Sequence, residues 1–296
     1  MKYLGALCGL ACAAALCFAG RPARAWGDEG HEVIGLIADH YLDPQVRRRV
    51  QGMLAGDETE LTPKDIAHEA TWADKYRDSD RNTSKVRYQQ TRNWHFVDLE
   101  LAGADLNRAC YGRPKLPPQT DASFGPAEDC VIDKIDQFSA ELENPRFGGR
   151  ERRLALEFLL HFVGDLHQPL HAADDEDQGG NRKLVSAPGI APTNLHHAWD
   201  TEFVALLGTD EAEIAQRLIA RISESQRAQW SSGTTVDWAM ESYSAAKSHA
   251  YRLPAPSASN HYRLSADYVA DATAVTAEQL SKAGVRLAFV LNRALQ

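Results

Sequence analysis

Three things are scarce in this sequence: cysteine, positive charge and long apolar runs. Only five cysteines occur in 296 residues, and Cys8, Cys12 and Cys17 all fall within the first 25. Those 25 residues read as a secretory signal peptide. Lys2 gives the charged start, Tyr3 to Ala19 the apolar middle, and Ala23-Arg24-Ala25 the small-x-small cleavage site. A membrane anchor spanning Met1 to Gly20 is the alternative, but its apolar core is short, and no second stretch of about 18 apolar residues follows it. The sequence therefore predicts a leader at 1–25, a domain at 26–296 that starts on Trp26, a secreted or periplasmic location, and no stable association with a membrane. Cys110 and Cys130 then remain as an even pair in an oxidising compartment, which predicts a disulfide, with two free thiols as the alternative.

Positive charge is in deficit. The chain carries a formal net charge of -9, and loss of Lys2, Arg21 and Arg24 with the leader leaves 29 basic against 41 acidic residues. A protein that grips duplex nucleic acid by neutralising phosphates is usually basic. Any phosphate chemistry here has to find positive charge somewhere other than the surface, and bound divalent metal is one source.

Internal repeats, low-complexity tracts and linkers are absent, and no segment shows the strict alternation of a half-buried strand. Apolar residues recur at helical spacing in Val33, Ile34, Ile37, Ala38 and Tyr41, and again in Leu154, Ala155, Phe158, Leu159 and Phe162. Similar stretches run over 44–55, 63–77, 126–142, 194–207, 210–228, 235–250, 263–281 and 284–295. Gly, Pro, Asp and Asn collect in 79–93, 103–125 and 172–193, where loops are expected. The fold class that follows is all-α, one mainly helical domain without a sheet.

Chemistry concentrates in Leu159-Leu-His-Phe-Val-Gly-Asp-Leu-His-Gln-Pro-Leu-His171, three histidines and an aspartate in an otherwise apolar helix. His161 and Asp165 are four apart and share the face that Phe158 and Leu154 turn to the core, where ionisable groups are costly unless paired or metal-bound. Pro169 should end the helix and let His171 approach from another direction. A buried hydrogen-bonded His161–Asp165 pair would explain that stretch alone. Asn194-Leu-His-His-Ala-Trp-Asp200 repeats the arrangement, with His196 four residues and His197 three residues from Asp200; spacing does not choose between them. Imidazole and carboxylate donors suit zinc, and cysteine-poor exported proteins build zinc sites from them. Weaker candidates are His31, Asp74 in Trp72-Ala-Asp74, and His95 in Trp94-His-Phe-Val-Asp98. Arg77 lies one helical turn from Asp74, placed to clamp a phosphate.

Taken in order from Trp26, these segments resemble the zinc-dependent S-one and P-one nuclease family over most of the chain past residue 25. The resemblance implies a trinuclear zinc cleft. Its ligands would be Trp26 (through its amine and carbonyl oxygen), His31, Asp74, His95, His161, Asp165, His171, His196 and Asp200. It thus selects His196 over His197 and leaves His167 as a supporting or packing residue. Asp74, His95, His161 and Asp165 would hold one ion, Trp26, His31 and Asp165 a second, and His171, His196 and Asp200 the third. Catalysis would fall to Asp165, bridging two ions, and to Arg77. Phe96 and Asp98 would stack on and hydrogen-bond a base, with a core aromatic as the alternative for Phe96. Asn181 would lie near substrate, or serve only as a turn residue.

The implied activity is hydrolysis of single-stranded RNA and DNA to 5′-phosphate products, together with removal of 3′-phosphate from nucleotides, by a monomer. A zinc phospholipase C is the nearest rival. Its final pair resembles His-x-x-x-Glu where this chain has Asp200, and no C-terminal lipid-binding module is recognisable. A zinc-binding protein without catalysis is the rival from another class; it would leave Arg77 unexplained. Asn82-Thr83-Ser84 is a glycosylation sequon.

Overall fold

A computed structural model describes residues 26–257 and 260–296. The expected leader at 1–25, with its three cysteines, lies outside them. The chain opens with α1 (Asp28–Tyr41) and α2 (Pro44–Leu54), followed by the short helices α3 (Ile66–Glu69), α4 (Trp72–Asp78), α5 (Val86–Thr91) and α6 (Leu106–Ala109). Two longer helices, α7 (Val131–Glu143) and α8 (Gly149–Leu166), come next. Strands β1 (Leu184–Ala187) and β2 (Ile190–Asn194) lead into α9 (Leu195–His197), a π turn at Ala198–Glu202, and α10 (Phe203–Ala205). The remainder is α11 (Glu211–Ile219), α12 (Glu224–Trp230), α13 (Thr235–Ala245), β3 (His261–Arg263) and the 29-residue α14 (Ala266–Ala294).

Helix α8 is the axis of the domain. From Ala155 to Leu166 every residue is buried, as expected of a helix surrounded by others. Phe158 stacks on Phe138 of α7 at 4.8 Å and meets Trp94 and Trp72 edge-on. Helix α1 buries Val33, Ile34 and Ile37 against α14. The crossing is tight: a Cβ on Gly284 would lie 2.4 Å from Ile37 Cγ2. The stretches 263–281 and 284–295, read as separate, are one continuous helix, and Gly284 is its point of contact with α1.

The fold is mainly helical, as the periodicity predicts, but the expectation of no sheet was wrong. Strand β1 pairs antiparallel with β2 and parallel with β3, in the order β2-β1-β3. Two of these strands lie in the segment 172–193 that reads as loop. They are short, carry Pro and Gly near their turn, and β1 buries only Val185, so the alternation that would reveal them never develops. The segment 79–93, also read as loop, holds α5, because the Asp80 carboxylate accepts bonds from the backbone N–H of Arg87 and Tyr88 and starts a helix from outside it.

Cys110 and Cys130 form a disulfide across a separation of 20 residues. It joins the end of α6 to the start of α7 and holds the intervening irregular segment on the core, where both half-cystines are fully buried. Replacing both by serine should lower the unfolding free energy by about 3 kcal/mol, the closure entropy of such a loop. Urea unfolding of the oxidised parent and the variant checks this; equal midpoints and slopes would show that the crosslink is dispensable.

Candidate metal centre

His161 and Asp165 project one turn apart from α8 and neither is exposed. Between them, Gly164 leaves room that a side chain would fill: an added Cβ would sit 2.9 Å from Nδ1 of His31. In that space the His31 imidazole, delivered by α1, stacks on His161 with ring centroids 3.8 Å apart. Trp26 is buried beside them, its indole N–H donating to Gly164 O at 3.0 Å, while Gly27 N–H donates to Asp200 O at 2.8 Å. Side chain and backbone thus pin the first described residues across the two segments that carry acids. Asp74 comes from α4 and His95 from the end of a 3-10 turn at Arg92–His95. Helix α8 ends at Leu166, and a 3-10 turn at Pro169–His171 swings His171 back towards the same floor.

Eight side chains converge there in three groups of mutually close donors: His31, His161 and Asp165; Asp74, His95 and His161; and His171, His196 and Asp200. Asp165 faces two ways. Its Oδ1 is 3.5 Å from His31 Nε2, while its Oδ2 is 2.9 Å from His95 Nδ1 and 3.2 Å from His161 Nε2. Asp74 Oδ1 is 3.4 Å from both His95 Nδ1 and His161 Nε2. His196 Nε2 is 3.4 Å from Asp200 Oδ2.

These spacings fit a divalent ion. Two donors at about 2.0–2.2 Å from one tetrahedral zinc lie roughly 3.3 Å from each other, close to the separations seen. Hydrogen bonds supply a second argument. Nδ1 of His161, His171 and His196 donates to Ala70 O, His95 O and Gly179 O at 2.7, 2.8 and 2.7 Å. Each ring so fixed, when neutral, turns an unprotonated Nε2 inward, the tautomer a metal needs. His171 Nε2 and His196 Nε2 then face each other at 3.1 Å, lone pair to lone pair, an arrangement that calls for a cation. His161 Nε2, Asp165 Oδ1 and Asp200 Oδ2 are all buried without a hydrogen-bond partner.

Charge tells the same story. Burial pushes the Asp165 and Asp74 carboxyls up, but His161, and for Asp74 first Arg77, outweigh it and hold both well below the usual range. Burial pulls His161 down, yet Asp165 and Asp74 override it and raise the ring to about 10. Burial, reinforced by the neighbouring His171, drops His196 to about 3, and burial lifts Asp200 well above the ordinary carboxylate value. The metal-free floor keeps a proton on His161 and disfavours the ionised Asp200. A cation arriving there releases protons and allows Asp200 to ionise.

Above this floor opens a cleft of about 370 Å³. Arg77 lines it although nearly buried; Nη1 is 2.6 Å from Asp74 and the Nε/Nη2 fork holds Asp78 at 3.1 Å, which leaves two of five N–H donors free. Phe96 is half-buried on the cleft wall and stands apart from both apolar clusters, so it is not the core aromatic that was its alternative. Asp98 lines the same wall, and burial, then Asp174 and Glu100, push its carboxyl up to about 7. Asn181 also borders the cleft, but its amide N–H donates to Gln178 O at 2.8 Å, the bond of a turn residue.

His197 points elsewhere, 3.7 Å from Glu202, so the structure brings His196 to the cluster and leaves His197 out. His167 is buried between Val163 O and Arg286, and Arg286 forks onto Glu241. Two further residues hold the cluster in place. Gln168, fully buried, donates to Asp200 Oδ1 at 2.5 Å. Gly179, at φ +59°, presents its carbonyl to His196 where a Cβ would meet Leu170 O at 2.5 Å. Asp200 sits on a π turn, a widening of the helix common at functional sites.

Comparison with known proteins agrees with this geometry. The S1/P1 Nuclease family model matches residues 26–296. Nuclease S1 of Aspergillus oryzae is 28% identical over 290 residues, which cover 90% of this chain and 91% of that protein. Endonuclease 2 of Arabidopsis thaliana is 27% identical over 300 residues, 94% and 93% of the two chains. Nuclease P1 of Penicillium citrinum is 31% identical over 183 residues, 60% of this chain and 57% of its own.

Proposed function

Since the chain belongs to the S1/P1 nuclease family, a group of hydrolases acting on nucleic acids, we propose that it is an exported zinc-dependent phosphodiesterase. Its substrates would be single-stranded RNA and DNA, cut to 5′-phosphate products, and 3′-nucleotides, from which it would remove phosphate. One observation carries this: the three convergent groups of buried donors, with inward lone pairs and unpartnered oxygens, adjoin the cleft that Phe96 and Asp98 wall and reach it through His95, His171 and His196.

Asp74, His95, His161 and Asp165 would hold one zinc, Trp26, His31 and Asp165 a second, and His171, His196 and Asp200 the third. When bound, such ions acidify water and neutralise charge on phosphate and leaving oxygen. The chain supplies the rest. The two free N–H donors of Arg77 meet the phosphate oxygens as their charge grows, and the carboxylates that hold the guanidinium keep it from swinging away. Phe96 offers a ring face to an unstacked base, which selects single strands without selecting sequence. Asp98, near half-ionised at neutral pH, can accept from or donate to the edge of that base. Gln168 and the Gly179 carbonyl fix Asp200 and His196 in place.

No helix among the described residues is long and apolar enough to cross a membrane. The match that begins at Trp26 and the buried disulfide support the reading of an exported domain.

Metal content combined with assays on RNA, denatured DNA, a 3′-nucleotide and phosphatidylcholine tests the proposal. Three zinc ions per chain with turnover of the first three substrates is the expected result. Full zinc without hydrolysis would make it a zinc-binding protein, and cleavage of phosphatidylcholine alone would make it a phospholipase. For Phe96→Ala the expectation is narrower: binding of single-stranded substrate weakens by roughly 1 to 3 kcal/mol while zinc content is kept. An unchanged KM would remove Phe96 from the base site.

A further inference from the structure

Residues 75–92 hold six basic residues and two acidic ones in a chain whose overall charge is -9. Metal ligation uses none of the six, and besides Arg77 the fold brings three residues of the segment to the cleft. Arg81, Tyr88 and Arg92 line the same cleft as Phe96 and His171. Their placement is built. The Asp80 carboxylate accepts from Ser84 OH at 2.7 Å, Arg87 N–H at 2.9 Å and Tyr88 N–H at 3.1 Å, which sets the start of α5 and with it the position of the Tyr88 ring. Arg81 lies over that ring, its guanidinium carbon 4.9 Å from the centroid, steered by Asp78 at 3.6 Å. Arg92 is exposed; its backbone N–H donates to Tyr88 O, and its guanidinium has no hydrogen bond or ion pair among the described residues. Arg87, by contrast, covers Tyr76 and is not part of the cleft wall.

A guanidinium plane backed by an aromatic ring is a flat cationic platform on which a base can stack, and an unengaged arginine beside it suits a phosphate. We propose that Arg81, Tyr88 and Arg92 form a second nucleotide subsite, for the residue adjoining the one held at Phe96, with the base on the Arg81–Tyr88 stack and its phosphate on Arg92. The proposal rests on the nuclease function proposed above and sharpens it: the preferred substrate is a strand of two or more nucleotides, not a single nucleotide.

The test uses the zinc-loaded enzyme, a ten-residue oligothymidylate, and thymidine 3′-(4-nitrophenyl phosphate), a diester with one nucleoside and no neighbour. The double variant Arg81→Gln, Arg92→Gln should lose about tenfold or more in kcat/KM on the oligonucleotide and less than about twofold on the small diester. Arg92→Gln alone should flatten the logarithmic salt dependence of oligonucleotide binding by about 0.7, the share of one phosphate contact on a single strand. Because that substitution removes no side-chain hydrogen bond or ion pair among the described residues, it keeps the test readable if the double variant misfolds. Equal losses on both substrates, or an unchanged oligonucleotide rate and salt slope, would overturn the subsite. A parent enzyme that cleaves neither substrate would instead bring down the nuclease function, and the subsite with it.

Discussion

Asp165→Asn is expected to cost more activity than any other single change among the nine donors, more than about 100-fold. The side chain is fully buried, and its two oxygens address different partners: Oδ1 faces His31, Oδ2 faces His95 and His161. An asparagine has the same shape but no negative charge, and one of its two ends becomes an N–H donor aimed at an inward lone pair. His161 also loses the first of the two carboxylates that keep it protonated in the metal-free protein. Two ions would therefore be weakened by one atom's change. Metal analysis and a single-turnover rate on the same preparation check this. Full zinc content with near-normal turnover would rule out a bridging role for Asp165.

The second large effect concerns what precedes Trp26. The indole is locked onto Gly164 O and Gly27 onto Asp200 O, so the main chain of this residue is held beside His31 by contacts that do not involve its amine. An amine and a carbonyl oxygen of one residue can close a five-membered chelate, whereas an amide nitrogen is a poor donor. An ion must displace the amine's proton, whose unperturbed pKa is about 8, and it does so readily when its other ligands are already placed. Protein made with Met or a short tag left before Trp26 should fold, keep two zincs, hold the third poorly, and hydrolyse single strands on the order of 100-fold more slowly than protein that starts at Trp26. Equal zinc content and equal rates in the two preparations would end the idea.

Legibility in the sequence differed by residue for physical reasons. His161 with Asp165, and His196 with Asp200, declare themselves because a four-residue spacing puts two donors on one helical face whatever the tertiary structure. Pro169 announces the turn that redirects His171 for equally local reasons. His31, Asp74 and His95 carry no such mark. Only the resemblance grouped them, since what unites them is packing around α8. Gln168 and the bond from Gly179 to His196 leave no local mark, because they act on residues 32 and 17 positions away respectively. The Arg81 to Arg92 wall was missed for another reason: net charge was averaged over the chain, and a count in windows of 18 residues would have exposed it. The helices emerged where apolar periodicity was long. The sheet did not, because strands of three to five residues bury too little to leave a pattern.

The cationic wall has a counterpart in what surrounds it. Acidic residues outnumber basic ones over the rest of the chain past residue 25, so a polyanion approaching away from that wall meets net repulsion over about a Debye length, roughly 8 Å at physiological salt. The molecule is therefore fenced as well as baited. On the nuclease function proposed above, the same field would favour a flexible strand that can reach the cations of the cleft over rigid duplex, and an overall acidic charge would become a means of discriminating between them.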